Sequence, residues 1–354
     1  MTVKSIFKLM GVAFISVAML SCSKNETEPV QNKAIGFNTY TGRAVTKADA
    51  SLIDKGTTTL KSGSKFVVYA YNTGSTAWAD LTSGPSTVFM NGVTVTYGGG
   101  GATDPDEYTY SPMRYWPNQE ATNKLSFFAY YPQGGTGITA PTNGWGAYSF
   151  TAQTTPASMI DFCVSEVAPD QVYSSTNTPA KKGVVTMKFY HTLTMVKFKV
   201  KTDATYTGTT ITLKSISLAG VNTVGTLTPA TTSAAWSAQG TPKAFDVFPA
   251  STLALSTTES LLPVTTATEA ANAYLMIPQT LSDDVVATIV YEVKTDSDPA
   301  ITTTATVQLN TADVKAWEMN KNIVYTFVVG LKPIKFIAEV GDWAAKTDVS
   351  FDVN

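Results

Sequence analysis

Histidine, cysteine and charged residues are scarce in this chain of 354 residues. It has one histidine and two cysteines, and only 15% of its residues are charged, with a formal net charge of −2. Without an HExxH motif, a cysteine pair or a second histidine, the common zinc motifs are missing. Without an excess of Lys and Arg, nothing indicates a nucleic-acid partner. We therefore expect a protein that is not an enzyme and that holds no metal and no cofactor.

The first cysteine lies at the end of an export signal. Lys4 and a second lysine precede an apolar core at residues 9–20, which is too short to span a bilayer and is typical of a signal peptide. The core ends in "MLSCS", which resembles a lipobox and makes Cys22 the first mature residue, with acyl chains such as palmitate on its thiol and amine. The alternative is a plain signal peptide with an incidental cysteine. We assign residues 1–21 to the signal peptide and residues 22–33 to a flexible tether.

The second cysteine and the histidine both lie in apolar runs. With Cys22 lipidated, Cys163 in "MIDFCVSEV" has no disulfide partner, and we expect it to be a small buried hydrophobic residue. His191 alternates with Phe189 and Leu193, and no nucleophile motif accompanies it. We expect a structural histidine.

The rest of the chain alternates with the period of β-strands. "SKFVVYAYN" is apolar on both faces and predicts a central strand, and "VVTMKFYHTLTMVKFKVKT" predicts one very long strand. Polar turns between such runs favour β-sandwiches over βαβ units. The polar stretch "SSTNTPAKKG" suggests a boundary, so we expect an N-terminal β-sandwich over 34–182 and a C-terminal one over 183–354.

Aromatic residues cluster in the first of these two regions. They lie in strand-like runs, where packing in the core and in turns is the favoured interpretation. The members are Tyr108, Tyr110, Tyr115, Trp116, Phe127, Phe128, Tyr130 and Tyr131. Exposed aromatic rings would instead stack on sugars and give a glycan-binding surface. Trp145, in a glycine-rich loop, is the better candidate for such an exposed contact.

The stretch "IGFNTYTGRAVTKADAS" begins as a strand and ends as a run of small residues. Ile35 and Phe37 share one face of the strand, and two bases, Arg43 and Lys47, follow without an apolar pattern. This pattern fits either a surface linker or a segment that a protease cleaves.

Several landmarks together resemble the fimbrillins, lipoprotein-derived subunits of type V pili. They are the lipobox, "IGFNTYTGRAVTKA", "FVVYAYN", "YWPNQEATNKLSFFAYYP", "FYHTLTMVKFKV" and "WEMNKNIVYTFVVGLKPIKFIAEVGDW". The resemblance implies an all-β fold of two tandem transthyretin-like β-sandwich domains. It also implies export as a lipoprotein to the outer membrane and cell surface, cleavage by a trypsin-like protease, loss of the first strand, and its replacement by a strand of a neighbouring fimbrial subunit.

Carried onto this sequence, the resemblance makes Ile35 and Phe37 the side chains of the strand that is displaced. The cleaved bond follows Arg43, or alternatively Lys47. Val349, Phe351 and Val353 alternate with polar residues and form the candidate donor strand, although the same segment also fits a terminal edge strand of its own domain.

The resemblance thus implies a structural or accessory subunit of a fimbrium, a tip subunit included, which serves adhesion to a host or glycan ligand. The alternative is a surface-anchored glycan-binding lipoprotein that does not polymerise.

Overall fold

The all-β prediction is confirmed by a computed structural model that describes residues 33–41, 62–100, 107–117, 123–173, 183–263, 272–331 and 335–342. Within these ranges the chain forms 22 strands and two short 3-10 turns, Trp78–Asp80 and Pro156–Ser158. None of the described residues belongs to a helix long and apolar enough to cross a membrane. The strands all lie in the compact unit that begins at Ala34.

In chain order the strands are β1 (Gly36–Thr41), β2 (Lys65–Gly74), β3 (Val88–Tyr97), β4 (Tyr108–Tyr110), β5 (Lys124–Tyr131), β6 (Ile138–Thr139), β7 (Tyr148–Thr151), β8 (Cys163–Ser165), β9 (Ala168–Gln171), β10 (Val184–His191), β11 (Thr194–Thr202), β12 (Thr209–Pro229), β13 (Ala234–Phe248), β14 (Leu253–Ala254), β15 (Ser260–Leu262), β16 (Tyr274–Met276), β17 (Gln279–Thr280), β18 (Val286–Thr295), β19 (Ile301–Gln308), β20 (Ala316–Trp317), β21 (Lys321–Val329) and β22 (Lys335–Asp342).

The first sheet has the strand order β1-β10-β8-β5-β2-β3-β4, and β9 pairs with β5. The predicted central strand is β2, which lies between β5 and β3 and is buried on both faces, as its apolar pattern requires. One face of the sheet encloses a core of its own, and the other face packs into a second, larger core.

This sheet curls so that its two ends meet. The hydroxyls of Thr39 on β1 and Tyr108 on β4 lie 2.6 Å apart, although these strands are at opposite ends of the strand order. The core enclosed by the curl contains large side chains from most of its strands, among them Phe37, Phe66 and Phe127. The first strand therefore closes the wall around this core.

Two further large sheets and a two-stranded sheet of β17 and β20 complete the described fold. The seven-stranded sheet has the order β19-β18-β12-β7-β6, with β13 and β14 also paired to β12. The five-stranded sheet has the order β15-β11-β21-β22, with β16 paired to β11. Their apolar faces share the larger core, where Phe198 stacks on Tyr325 with ring centroids 5.8 Å apart. This arrangement of faces matches a β-sandwich.

Strand pairing crosses the boundary expected after residue 182. β10 joins the first sheet through β8 and β1, and β7 pairs with β12 in the seven-stranded sheet. The division into domains over 34–182 and 183–354 stays a prediction, and so does the transthyretin-like detail.

The single long strand predicted from "VVTMKFYHTLTMVKFKVKT" is wrong, because the chain breaks between His191 and Thr194. β10 before the break belongs to the first sheet and β11 after it to the five-stranded sheet. At the break, both the backbone N–H and the hydroxyl of Thr192 donate to the carbonyl of Phe162. These side-chain and backbone bonds replace the ladder for two residues and let the chain change sheets.

Candidate functional site

Strand β1 presents its larger side chains to the enclosed core. Ile35 is 1% exposed, Phe37 is fully buried and Thr39 is 1% exposed, while Gly36 and Asn38 between them are half-buried. This period of two follows from the alternation of side chains along a strand. We call the place that β1 occupies between β10 and the β4 end of the sheet the β1 groove.

On one side, the β1 groove is bounded by β10. The two strands are parallel, and six residue pairs are in register from Gly36 with Val184 to Thr41 with Phe189. The β10 residues Val185, Met187 and Phe189 are buried in the same core. No other described strand shares a ladder with β1, so its regular backbone hydrogen bonds all go to β10.

On the other side, individual hydrogen bonds replace a ladder. The Ile35 N–H donates to the carbonyl of Arg114 over 2.9 Å, and the Tyr110 hydroxyl donates to the carbonyl of Ile35 over 2.8 Å. The Thr39 and Tyr108 hydroxyls pair at 2.6 Å. β1 is thus held firmly at one edge and by separate point contacts at the other.

Gly183 closes the end of the groove where β1 begins. Its carbonyl accepts from the Gly36 N–H over 2.9 Å and from Nε1 of Trp116 over 3.0 Å. Gly183 has a φ of 73°, and a Cβ there would lie 2.8 Å from the Trp116 Nε1. A side chain at this position would therefore be strained and would also collide with the indole.

The Phe37 ring packs against other aromatic rings in the enclosed core. It meets Tyr110 edge-on at a centroid distance of 5.4 Å and Phe127 edge-on at 6.1 Å. Trp116 in turn meets Phe127 at 6.0 Å. Burial of a side chain such as Ile35 or Phe37 stabilises the fold by about 1.5–3 kcal/mol, and an aromatic pair adds about 0.5–1.5 kcal/mol.

The two tyrosines of the groove keep their protons. Burial raises the pKa of Tyr108, and burial likewise raises the pKa of Tyr110. Their hydroxyls are therefore neutral at any physiological pH and remain available as hydrogen-bond donors to β1.

Of the predicted site residues, Ile35 and Phe37 are brought together in this groove. The remaining ones lie outside the described residues, and their roles stay predictions: Cys22, Arg43, Lys47, Val349, Phe351 and Val353.

The aromatic cluster is mainly part of the core. The packing interpretation is confirmed for the buried members, which are Tyr108, Trp116, Phe127, Phe128 and Tyr131. Tyr110 and Tyr130 are half-buried. Tyr115 is 43% exposed, so core packing is wrong for this residue. Trp145 is half-buried and meets Trp78 at 5.0 Å and Phe128 at 5.3 Å. The expectation of an exposed platform at Trp145 is therefore wrong, because neighbouring rings cover this indole.

The buried cysteine and histidine are found as expected, but with a partner that the sequence analysis missed. Cys163 is fully buried and His191 is 3% exposed. His191 Nδ1 lies 2.8 Å from an oxygen of Asp161, which is itself 3% exposed. The spacing of Asp161 and Cys163 at i and i+2 in an extended apolar run is the signal that was available.

A sequence comparison assigns the family. The family model described as Fimbrillin-like matches residues 43–343. The chain belongs to the fimbrillin-like family. The match begins at Arg43, just beyond β1, so the groove-filling strand precedes the matched region.

Individual fimbrial proteins are also similar to this fimbrillin-like chain. The fimbrium subunit Fim1C of Phocaeicola vulgatus is 32% identical over 219 residues, which cover 57% of this chain and 52% of that protein. The matched part is thus about half the length of that relative. A crystal structure of a fimbrial protein from Bacteroides vulgatus superposes with a TM-score of 0.63 at 21% identity, covering 88% of this chain and all of the other. This likeness supports the fold.

Proposed function

We propose that this fimbrillin-like chain is a structural or accessory subunit of a bacterial surface fimbrium, assembled by exchange of strand β1 for a strand of a neighbouring subunit. The observation that carries the proposal is the attachment of β1. Its inward side chains fill the core, yet it has a ladder on one side alone among the described strands. A strand held in this way completes the core and can still be removed from the edge of a sheet.

Proteolytic maturation would remove β1. Arg43 follows Thr41, the last residue of β1, by two positions, and Lys47 follows by six. A trypsin-like protease cleaving after Arg43 separates β1 from the rest of the chain. Loss of β1 leaves the backbone groups of β10 unpaired and empties the apolar positions of Ile35 and Phe37, which favours addition of a new strand.

The sequence contains a segment that fits the vacated positions. Residues 35–39 are Ile-Gly-Phe-Asn-Thr, and residues 349–353 are Val-Ser-Phe-Asp-Val. The inward positions of β1 hold a branched aliphatic side chain, a phenylalanine and a threonine. The second segment offers a branched aliphatic side chain, a phenylalanine and a valine, which has nearly the shape of threonine. This agreement supports residues 349–353 of a second copy as the donor strand.

Such an exchange is heterologous, because the groove and the donor are different parts of each subunit. A contact of that kind joins subunits head to tail and continues as a filament. Before cleavage, a lipid on Cys22 anchors the precursor in the outer membrane, and loss of the segment before Ala44 releases it. The filament at the cell surface then presents the fold for adhesion to a host or glycan ligand.

Analysis of the mature N-terminus on cells tests this proposal. Mass spectrometry of the assembled protein is expected to find a chain that starts at Ala44, and Arg43→Ala is expected to leave the precursor uncut and unassembled. Lys47→Ala is the matched control that keeps normal processing. An assembled protein that starts at a lipidated Cys22 would contradict the proposal and favour a lipoprotein that does not polymerise.

A further inference from the structure

Three side chains of metal-ligand type meet inside the first sheet. His191 Nδ1 lies 2.9 Å from Asp161 Oδ1 and 3.7 Å from Cys163 Sγ. Cys163 Sγ lies 3.5 Å from Asp161 Oδ1. The three donors are a nitrogen, a sulfur and an oxygen, and all three residues are at least nine-tenths buried.

The strands position these donors independently of any ligand. His191 on β10 and Cys163 on β8 are direct cross-strand partners in an antiparallel ladder, so their side chains point to the same face. Asp161 precedes Cys163 by two residues. Phe162, which lies between these two residues, and Val164, which follows Cys163, face the larger core instead.

The separations suit one small cation. Zinc binds thiolate sulfur at about 2.3 Å and imidazole nitrogen or carboxylate oxygen at about 2.0–2.2 Å, in a tetrahedron. Ligand atoms around such a centre lie about 3–4 Å from one another by these bond lengths. The two separations that involve sulfur fall in this range, and the nitrogen and oxygen need to part by a few tenths of an ångström.

One carboxylate oxygen of the cluster can still accept a hydrogen bond or bind a cation. Asp161 Oδ2 lies 2.8 Å from His191 Nδ1, but among the described atoms it accepts no hydrogen bond of normal geometry. The Asp161 side chain is 1% exposed, so it is shielded from solvent. A buried carboxylate is stabilised when it is paired or coordinates a metal.

We propose that Asp161, Cys163 and His191 form a binding site for a divalent cation of the zinc class. The cation replaces the thiol proton of Cys163, which leaves as H⁺, and the thiolate and carboxylate together neutralise its two charges. Three protein ligands leave the fourth position to a water molecule or a further oxygen. Since the donors are buried, the cation enters while the chain folds.

A cation at this place would join β8 to β10. β10 is the strand that forms the ladder with β1, so the metal would fix one wall of the β1 groove. The site does not depend on the exchange of β1, because its three ligands lie in parts of the chain that remain after β1 is removed.

Metal content after refolding tests the site. The full chain is refolded from denaturant with Zn²⁺, freed of loose metal by gel filtration, and measured by inductively coupled plasma mass spectrometry. We expect about one equivalent in the wild type and less than about a tenth of an equivalent in Cys163→Ser and Asp161→Asn. Cys22→Ser, which removes the other cysteine, is the control and is expected to retain the full equivalent.

Refolding with Co²⁺ gives a second readout that does not depend on variants that fold poorly. A thiolate-to-cobalt charge-transfer band is expected in the wild type and in Cys22→Ser. Absence of this band from the wild type, retention of less than about a tenth of an equivalent of zinc by the wild type, or equal retention by folded Cys163→Ser would each overturn the proposal. The cluster would then be a hydrogen-bonded Asp-His pair beside a thiol.

Discussion

Phe37 on β1 meets Tyr110 on β4 edge-on, with ring centroids 5.4 Å apart and ring planes inclined by 65°. The two residues lie on the first and last strands in the order of the curled sheet. Through this contact the strand that we propose to be exchangeable also closes the core. The groove that β1 fills is therefore a structural requirement of the fold, and under the proposed function it would also be the binding site for a replacement strand.

The side chain of Phe37 is expected to dominate the binding of β1. Phe37→Ala removes a fully buried ring and leaves a cavity among Tyr110 and Phe127, so the free energy of unfolding should fall by about 3–5 kcal/mol. Thr186→Ala is the control, since Thr186 is exposed on β10 and is paired with Asn38. Its effect should lie within about 0.5 kcal/mol of zero. Denaturant unfolding of the full chain measures the change in both variants. If Phe37→Ala lowers the free energy of unfolding as little as Thr186→Ala does, Phe37 does not anchor β1.

The hydroxyl pair of Thr39 and Tyr108 is expected to behave as one unit. Thr39→Val or Tyr108→Phe alone leaves one buried hydroxyl without this partner and should cost about 1–3 kcal/mol. The double variant removes both groups, so it should be no less stable than the less stable single variant. A double-mutant cycle of unfolding free energies measures this coupling. Strict additivity would contradict a direct interaction between the two hydroxyls.

The proposed donor segment makes a prediction about assembly. Phe351→Ala removes the side chain that would occupy the place of Phe37, and incorporation of the variant into filaments should fall severalfold or more. Asp352→Ala changes an outward position of the same segment and should leave incorporation unchanged. The amount of each variant in purified fimbriae, relative to its amount in whole cells, is the measurement. Normal incorporation of Phe351→Ala would indicate that the segment is a terminal strand of its own domain.

A pH dependence is expected at Glu259, which directly precedes β15 and pairs with two lysines of β11. Burial raises the pKa of Glu259, but hydrogen bonds and charges from Lys201 and Lys199, 3.2 and 3.3 Å away, outweigh burial and lower it below 4.5. A depressed folded-state pKa stabilises the fold above the ordinary pKa, and the contribution is lost as the pH falls through the lowered value. Because the Glu259 side chain is 41% exposed, the effect is small.

Glu259→Gln should therefore lower the free energy of unfolding by about 0.2–1 kcal/mol near neutral pH. The difference from the wild type should shrink once the pH is well below 4.5, and it should also shrink in concentrated salt. Urea unfolding at several pH values measures this difference. A constant difference across that range would rule out an electrostatic origin.

Local patterns in the sequence were sufficient to predict the strand that fills the groove and the orientation of its side chains. The alternation of Ile35 and Phe37 with smaller or polar residues predicts which side chains of β1 face inward, and the apolar faces of β2 predict its central place. Such patterns work because the side-chain period of a strand is a local property. They also predicted that Cys163 is buried and that His191 is a structural residue in an apolar strand.

The partners of these elements could not be predicted in the same way. Gly183 meets β1 from 147 positions further along the chain than Gly36, and Tyr110 meets it from a different strand. The break at Thr192 depends on the carbonyl of Phe162, 30 positions earlier in the chain. Long-range contacts of this kind have no signal in one sequence, because the alternation of side chains along a strand does not specify which strand becomes its neighbour.

The position of β1 in the chain explains why a cut would matter even though it breaks no contact in the groove. Residues 42–64 connect β1 to β2, so an intact β1 is always close to its own groove. A segment attached in this way has an effective concentration on the order of millimolar, which few separate strands can match. Cleavage at Arg43 would remove this high effective concentration, because β1 would no longer be connected to β2 and could diffuse away once it dissociates. A strand of a neighbouring subunit could then compete for the same place without having to match that effective concentration.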